Sequence, residues 1–255
     1  MSAGDTVDLD EGQYALAGIQ KYESVYGRHF VSPGGEAMAR ECIARLRLEP
    51  GERVLDVGCG LGGAAFLMAR EHGVTVHGLD LSANMIALAR ERCAREGLGE
   101  RVSLEQGDCL ALAGEDVYDA VYSRDVFLHV ADKERLLAGL LRVLRPGGRL
   151  LFTDYCRDAA PASDAFRAYV AARGYTLATV EEYRRLLEQA GFVSVRAHDW
   201  TARFVDINER ELAALGASGL DAAGREALAR DWRAKIERAR AGEQRWGCFE
   251  ARKPG

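Results

Sequence analysis

The segment Val54–Asp80, VLDVGCGLGGAAFLMAREHGVTVHGLD, constrains this chain more than any other stretch. Val54, Leu55 and Val57 form a short apolar run suited to a strand buried on both faces. Gly58, Gly60, Gly62 and Gly63 then allow a tight turn and a close approach of backbone to a ligand. Ala64 to His72 has helical composition, and VTVHGLD resumes an apolar strand that ends in a carboxylate, Asp80. A strand–turn–helix–strand unit of this kind belongs to an open, mostly parallel sheet. Its ligand is expected at the carboxyl ends of the strands.

The glycine motif alone leaves the ligand open. Gly58-Cys59-Gly60-Leu61-Gly62-Gly63 also satisfies G-x-G-x-x-G, with Asp80 about twenty residues on, as a dinucleotide site requires. Asp56 argues for a different occupant, because a carboxylate just before the turn repels a pyrophosphate and attracts a cationic amino-acid sulfonium. Gln106-Gly107-Asp108-Cys109 and Pro146-Gly147-Gly148 fall where an S-adenosylmethionine (SAM) methyltransferase has its third acidic turn and its entry to the fifth strand. The element is therefore read as a SAM site. Asp80 would take the two ribose hydroxyls, Leu81 the adenine face, and Asp108 with the Cys109 backbone the adenine edge.

The remaining pattern supports one α/β domain, and 255 residues suffice for its core. The alternation predicts a first helix over Glu36–Leu48 and a helix over Ser82–Glu96 capped by Ser82. Strands are expected over Arg101–Gln106, Tyr118–Ser123 and RLLFTDYC, with a helix from Asp132 or Lys133 to Leu144 before the last of these. Residues 163–192 read as helical with a break at Gly174, VSVRAHDWTARFV as a strand, and Glu209–Arg240 as two helices with little core hydrophobicity. Gln244–Lys253 reads as a final strand returning antiparallel. Ahead of the domain, residues 1 to about 9 look disordered. Glu11–Gly27 has helical spacing and fits either a lid or a capping helix in which Tyr14, Tyr22 and Tyr26 only fill space.

Composition excludes several classes. A formal net charge of −5 gives no support for nucleic acid or an anionic membrane as partner. No apolar run is long enough for a transmembrane helix, and the acidic N-terminus lacks a signal-peptide pattern. The six dispersed cysteines show no metal spacing and read as reduced, which predicts a cytoplasmic protein with no metal; Cys59, in the glycine turn, is expected to be open to alkylation.

Two further stretches bear chemistry. Tyr122-Ser123-Arg124-Asp125-Val126-Phe127-Leu128-His129 leaves the fourth strand at its carboxyl end, and one turn of helix would point Asp125 and His129 the same way. A histidine there serves equally as a satisfied structural residue. Tyr155, Tyr169, Arg173 and Tyr175 combine a guanidinium fork with neutral phenol donors, as an anion clamp would, although aromatic packing on the sheet also accounts for them.

Nearly the whole chain, from about Gln13 onward, resembles the phosphoethanolamine N-methyltransferases. The resemblance is carried by YESVYGRHFVSPGG, VLDVGCGLGGAAFLMA, HGLDLSANMI, VYSRDVFLHVADK, LLFTDYCR, YVAARGYTLATVEEY and GEQRWGCFEA. It implies a Rossmann-like class I methyltransferase: a mostly parallel seven-stranded sheet with helices on both faces and the last strand antiparallel. Residues 1–35 would form an N-terminal helical lid on a single domain, 36–255, whose helical insertions at about 157–190 and 207–240 cap the substrate. Tyr14 and His129 would be the catalytic dyad, with Gln13 beside them on the substrate. Tyr22, Val31, Ser32, Gly58, Gly60, Asp80, Leu81, Asp108, Cys109 and Arg124 would hold SAM. Asp125 would hold the substrate amine, and Tyr155, Tyr169, Arg173, Tyr175 and Lys235 its phosphate. Asp231 stands where the family usually has a glycine before the tryptophan of DWRAKIER, the run that carries Lys235. The implied activity is N-methylation of phosphoethanolamine toward phosphocholine by a monomeric enzyme. Another small amine or a lipid as acceptor, or a silent SAM-binding protein, are the alternatives.

Overall fold

The apolar run after Arg53 does form a strand, and it lies inside a sheet. The computed structural model describes residues 16–255. Strands β1 (Arg53–Val57), β2 (Thr75–Asp80), β3 (Val102–Gln106), β4 (Tyr118–Arg124), β5 (Leu144–Arg157), β6 (Val193–Asp199) and β7 (Gln244–Arg252) make one sheet in the order β3-β2-β1-β4-β5-β7-β6. The first five run parallel, and β7 lies antiparallel to both β5 and β6. Because β1 has β2 on one side and β4 on the other, the strand order reverses there and a crevice opens at the carboxyl ends of β1 and β4.

Nine α-helices lie among the described residues: α1 (Leu16–Tyr26), α2 (Gly35–Leu46), α3 (Gly63–His72), α4 (Ala83–Arg95), α5 (Lys133–Val143), α6 (Asp164–Ala172), α7 (Val180–Gln189), α8 (Thr201–Ala214) and α9 (Ala222–Arg240). Side chains that alternate along each strand feed two cores. On one face Val54, Tyr122, Trp246 and Cys248 meet Ile43 of α2, Phe66 of α3, Ile86 of α4 and Trp232 of α9. On the other, Leu55, Val121, Phe152 and Phe249 meet Leu136 and Leu140 of α5 and Tyr183 and Leu187 of α7. Ser82 caps α4 by accepting the Met85 N–H at 3.1 Å, as its place before the helix predicts.

Three elements differ from the sequence reading. The strand expected over residues 193–205 ends at Asp199, whose carboxylate accepts the Thr201 N–H and hydroxyl and starts α8 instead. Phe204 and Ile207 are thereby spaced on one helix face and buried. The helices over 209–240 are not poor in core residues, since Leu228, Trp232 and Ile236 of α9 are all buried. Their apolar positions are sparse but fall on one stripe. Finally, β5 begins at Leu144 rather than Arg149, running through the Pro-Gly-Gly segment with a register shift against β4 between Tyr118 and Ala120.

Candidate active site

The glycine turn is locked by its neighbours. The N–H groups of Gly58 and Cys59 both donate to Leu79 O, at 2.7 and 3.0 Å, tying the end of β1 to β2. Gly58 has a φ of 69°, and a Cβ there would lie 2.1 Å from Val126 Cγ2, so both conformation and space demand glycine. Asp80 accepts from Gly60 N at 2.8 Å through one oxygen and from Ser82 N at 2.9 Å through the other. The carboxylate is thus held in a fixed plane at the cavity wall. Leu81 beside it is 57% exposed, a large apolar side chain left uncovered at the cavity mouth. Asp108 accepts from Leu110 N at 2.8 Å and starts the short turn Cys109–Ala111.

Asp56 lies beneath this turn, fully buried, with Oδ2 lacking any partner among the described residues. Burial, reinforced by the nearby Asp80, pushes its carboxyl up to about 8. Cys59 is also buried, which raises its thiol well above the ordinary value. The expected openness of Cys59 to alkylation is therefore incorrect: its side chain packs toward Gly78 on β2, away from solvent.

The end of β4 brings together the second group. Arg124 is buried and donates to the carbonyls of Gly35, at 3.2 Å, and Pro33, which fastens the loop before α2 across the crevice. Asp125 has a φ of 56°, and its N–H donates to Thr153 O at 2.8 Å. Its Oδ1 accepts from Thr153 Oγ1 at 3.0 Å and Trp246 Nε1 at 2.7 Å, whereas Oδ2 is buried without a partner among the described residues. The chain then enters a 3-10 turn, Phe127–His129. Asp125 and His129 do not share a turn of α-helix, because the left-handed backbone at Asp125 precedes that turn. They reach the same cavity by a different route.

The His129 turn is braced from below. Lys133, 6% exposed, donates from Nζ to Phe127 O at 2.9 Å and Val130 O at 2.7 Å. Asp154 accepts the Leu128 N–H at 3.1 Å and the Tyr183 hydroxyl at 2.5 Å. Thr176 N donates to Leu128 O at 2.7 Å, so the turn is also bonded to the segment carrying Arg173 and Tyr175. The His129 ring meets Tyr175 edge-on at 5.1 Å. Burial, then the Lys133 and Arg173 cations, lower its imidazole to about 4, so it is neutral at pH 7.

Aromatic and basic side chains form the opposite wall. Tyr169 of α6, Arg173 at that helix's end and Tyr175 converge with Tyr155 of β5. Lys235 of α9 donates to the Tyr26 hydroxyl at 3.2 Å and lies 4.2 Å from the Trp232 ring centre. Burial lowers its ammonium to about 8. Tyr22 and Tyr26 stack with ring centres 6.0 Å apart, and both touch Trp232, which seats α1 on α9.

These groups enclose a cavity of about 430 Å³. Tyr22, Val31, Ser32, Gly58, Gly60, Asp80, Leu81, Asp108, Cys109, Arg124, Asp125, His129, Tyr155, Tyr169, Arg173, Tyr175 and Lys235 all line it. Gln13 and Tyr14 lie outside the described residues. Tyr26, Asp231 and Arg238, to which the sequence reading gives no place in the site, also line the wall. Their spacing held a signal, since Tyr26 follows Tyr22 by four residues and Arg238 follows Lys235 by three on one helix. Among the described residues there is no cluster of metal-ligating side chains and no helix long and apolar enough to cross a membrane.

Known proteins resemble this chain in sequence and in fold. Residues 48–195 fit the model of a methyltransferase domain. Phosphoethanolamine N-methyltransferase 1 of Zea mays is 41% identical over 96% of this chain and 50% of its own length. The chain spans about half the length of the plant relatives it matches. The phosphoethanolamine N-methyltransferase of Plasmodium falciparum is 31% identical over 98% of this chain and 96% of its own. Among solved structures, phosphoethanolamine N-methyltransferase 2 of Haemonchus contortus, in complex with phosphomonomethylethanolamine and S-adenosylhomocysteine, superposes with a TM-score of 0.93. It is 32% identical and covers 97% of this chain and 59% of that one. The fold is that of a Rossmann-like class I methyltransferase, and the chain belongs to the phosphoethanolamine N-methyltransferase family.

Proposed function

We propose that this protein transfers a methyl group from SAM to the nitrogen of phosphoethanolamine and then to its mono- and dimethyl forms, yielding phosphocholine. The observation that carries the proposal is Asp125 Oδ2, a buried carboxylate oxygen without a partner among the described residues, in a cavity with an acidic, glycine-lined arm and a basic, phenol-lined arm. An unpaired buried acceptor of this kind costs about 1–3 kcal/mol, more when charged, and an ammonium ligand relieves that cost. A phosphate monoester bearing an amine fits both the carboxylate and the basic wall.

The residues present fit SAM. Asp80 presents its carboxylate, held by the Gly60 and Ser82 N–H groups, at the cavity wall where a ribose would lie, and Leu81 offers an apolar face to a purine. When bound, SAM supplies an electrophilic methyl on a sulfonium sulfur. Tyr22, Val31, Ser32, Gly58, Gly60, Asp108, Cys109 and Arg124 complete that arm. In the proposed division into a lid, 1–35, and a domain, 36–255, the described helix of the lid, α1, packs on α9, and α6 and α9, within the insertions at about 157–190 and 207–240, supply the cap. Helix α7, also within the first insertion, packs on the sheet.

The substrate nitrogen arrives as an ammonium and must lose a proton before its lone pair can take the methyl. Asp125 orients the nitrogen. Neutral His129 accepts the proton, paired with Tyr14, with Gln13 alongside. Tyr155, Tyr169, Arg173, Tyr175 and Lys235 hold the phosphate. Since the Arg173 cation helps depress His129, a phosphate dianion settling on Arg173 offsets it and strengthens the base as substrate binds. Holding both ends of a short substrate against the donor supplies the proximity term.

Mass analysis of products from SAM with phosphoethanolamine, and separately with its mono- and dimethyl forms, tests the proposal. A methylated phosphobase from each is expected. Methyl transfer to glycine or sarcosine but to none of the phosphobases would replace this reading, and no transfer at all would leave a SAM-binding protein.

A further inference from the structure

Arg238 has no role in the reaction as described so far, yet it stands in the cavity wall one helical turn beyond Lys235. Its guanidinium is fixed in two ways. The Nε–H donates to Gln244 Oε1 at 3.0 Å, and Gln244 is itself 1% exposed at the start of β7. The guanidinium carbon lies 3.8 Å from the centre of the Tyr169 ring, so its plane is stacked on an aromatic face. No carboxylate among the described residues pairs with it, and neither Nη atom has a hydrogen-bond acceptor there. Asp231 is the acid lining the same stretch of α9, and the cations Arg173 and Lys235 line the wall beside it.

A guanidinium with its Nε and one face occupied retains the edge formed by its two Nη groups. That edge offers parallel N–H donors at the spacing of two phosphate oxygens. A lysine cannot reproduce it, because an ammonium is a point charge without a plane. A phosphate on that edge would also meet the Arg173 and Lys235 cations on the same wall.

We propose that Arg238 is a substrate-specificity residue that binds the phosphate of the acceptor through its free Nη edge, with Gln244 and Tyr169 holding its plane. The proposal rests on the phosphoethanolamine reading of the cavity. It adds a third cation to Arg173 and Lys235 and assigns selection for a phosphate dianion to α9. It also gives Tyr169 a second task, as the platform beneath Arg238.

Steady-state kinetics of R238Q and R238K against the unaltered protein test it. Loss of a charge-assisted bidentate contact should raise the KM for phosphoethanolamine about 10- to 100-fold in R238Q, with kcat and the KM for SAM within about threefold. R238K, which keeps charge but not plane, should fall between. The inhibition constant of inorganic phosphate should rise in step. Calorimetric binding of phosphoethanolamine in the presence of S-adenosylhomocysteine separates this inference from the reading it rests on. Binding to the unaltered protein that is lost in R238Q supports Arg238 even if no methyl moves. Turnover with an unchanged KM in R238Q overturns Arg238 alone. A fall in melting temperature with equal losses toward SAM and phosphoethanolamine, in both variants, would make Arg238 a clip between α9 and β7 and overturn the proposal.

Discussion

The two arms of the cavity are built on different principles. The arm at β1 and β2 is backbone: paired N–H groups on Leu79 O, a glycine that tolerates no Cβ, and a carboxylate fixed by Gly60 and Ser82. Its parts lie within about thirty residues of one another, set by strands that are sheet neighbours. The opposite arm is side chain. It collects α1, β5, α6 and α9, and the His129 turn that faces it is held by Lys133, Asp154 and Thr176. An arm built from backbone can thus stay constant while an arm built from side chains is re-specified by distant segments.

That division predicts separable defects. The largest is expected from His129→Ala, which should lower kcat by about 10²–10⁴-fold while SAM affinity, read by calorimetry, is retained. An equal loss of SAM binding would make His129 part of the fold and blur the two arms. Next, Arg173→Ala should raise the KM for phosphoethanolamine about 10- to 100-fold and leave the KM for SAM in place. Asp80→Ala should do the converse, weakening SAM by about tenfold or more with little change toward the phosphobase. Parallel losses on both sides in either variant would break the comparison.

The smallest effect sharpens it. The Lys133 ammonium lowers the His129 imidazole, so Lys133→Met should let that pKa rise and move the acid limb of the kcat/KM profile to higher pH. Lys133→Arg should restore the limb, and a lowered rate with an unmoved limb would leave Lys133 a support for the turn only. Stability should respond as well. A histidine whose folded pKa lies below its unfolded value takes up its proton more readily when unfolded. The native state should therefore lose stability as pH falls from about 6.5 toward 4.

Sequence and structure agree best where information is local. The glycine turn, Asp80 at a strand end and the Ser82 cap each follow from neighbours within a few residues, and all three are found as read. Residues 200–205 read as the end of a strand in the sequence and form the start of α8 in the structure. What decides them is the Asp199 side chain, which starts a helix, and a burial stripe that only α8 and α9 together complete. Spacing alone puts Asp125 on a helix turn, yet its left-handed backbone and its bond to Trp246, a residue 121 positions away, set its direction.

By itself the sequence determined the α/β order, the end of the sheet at which the cavity opens and the motifs of one family, because strand ends and glycine turns are short-range constraints. The tertiary structure alone decided which cations face the cavity, which oxygen of Asp125 is left free, and what holds His129 neutral. Those properties depend on burial and on charges from remote segments, and no short-range pattern encodes the distance between α6, α9 and the end of β4.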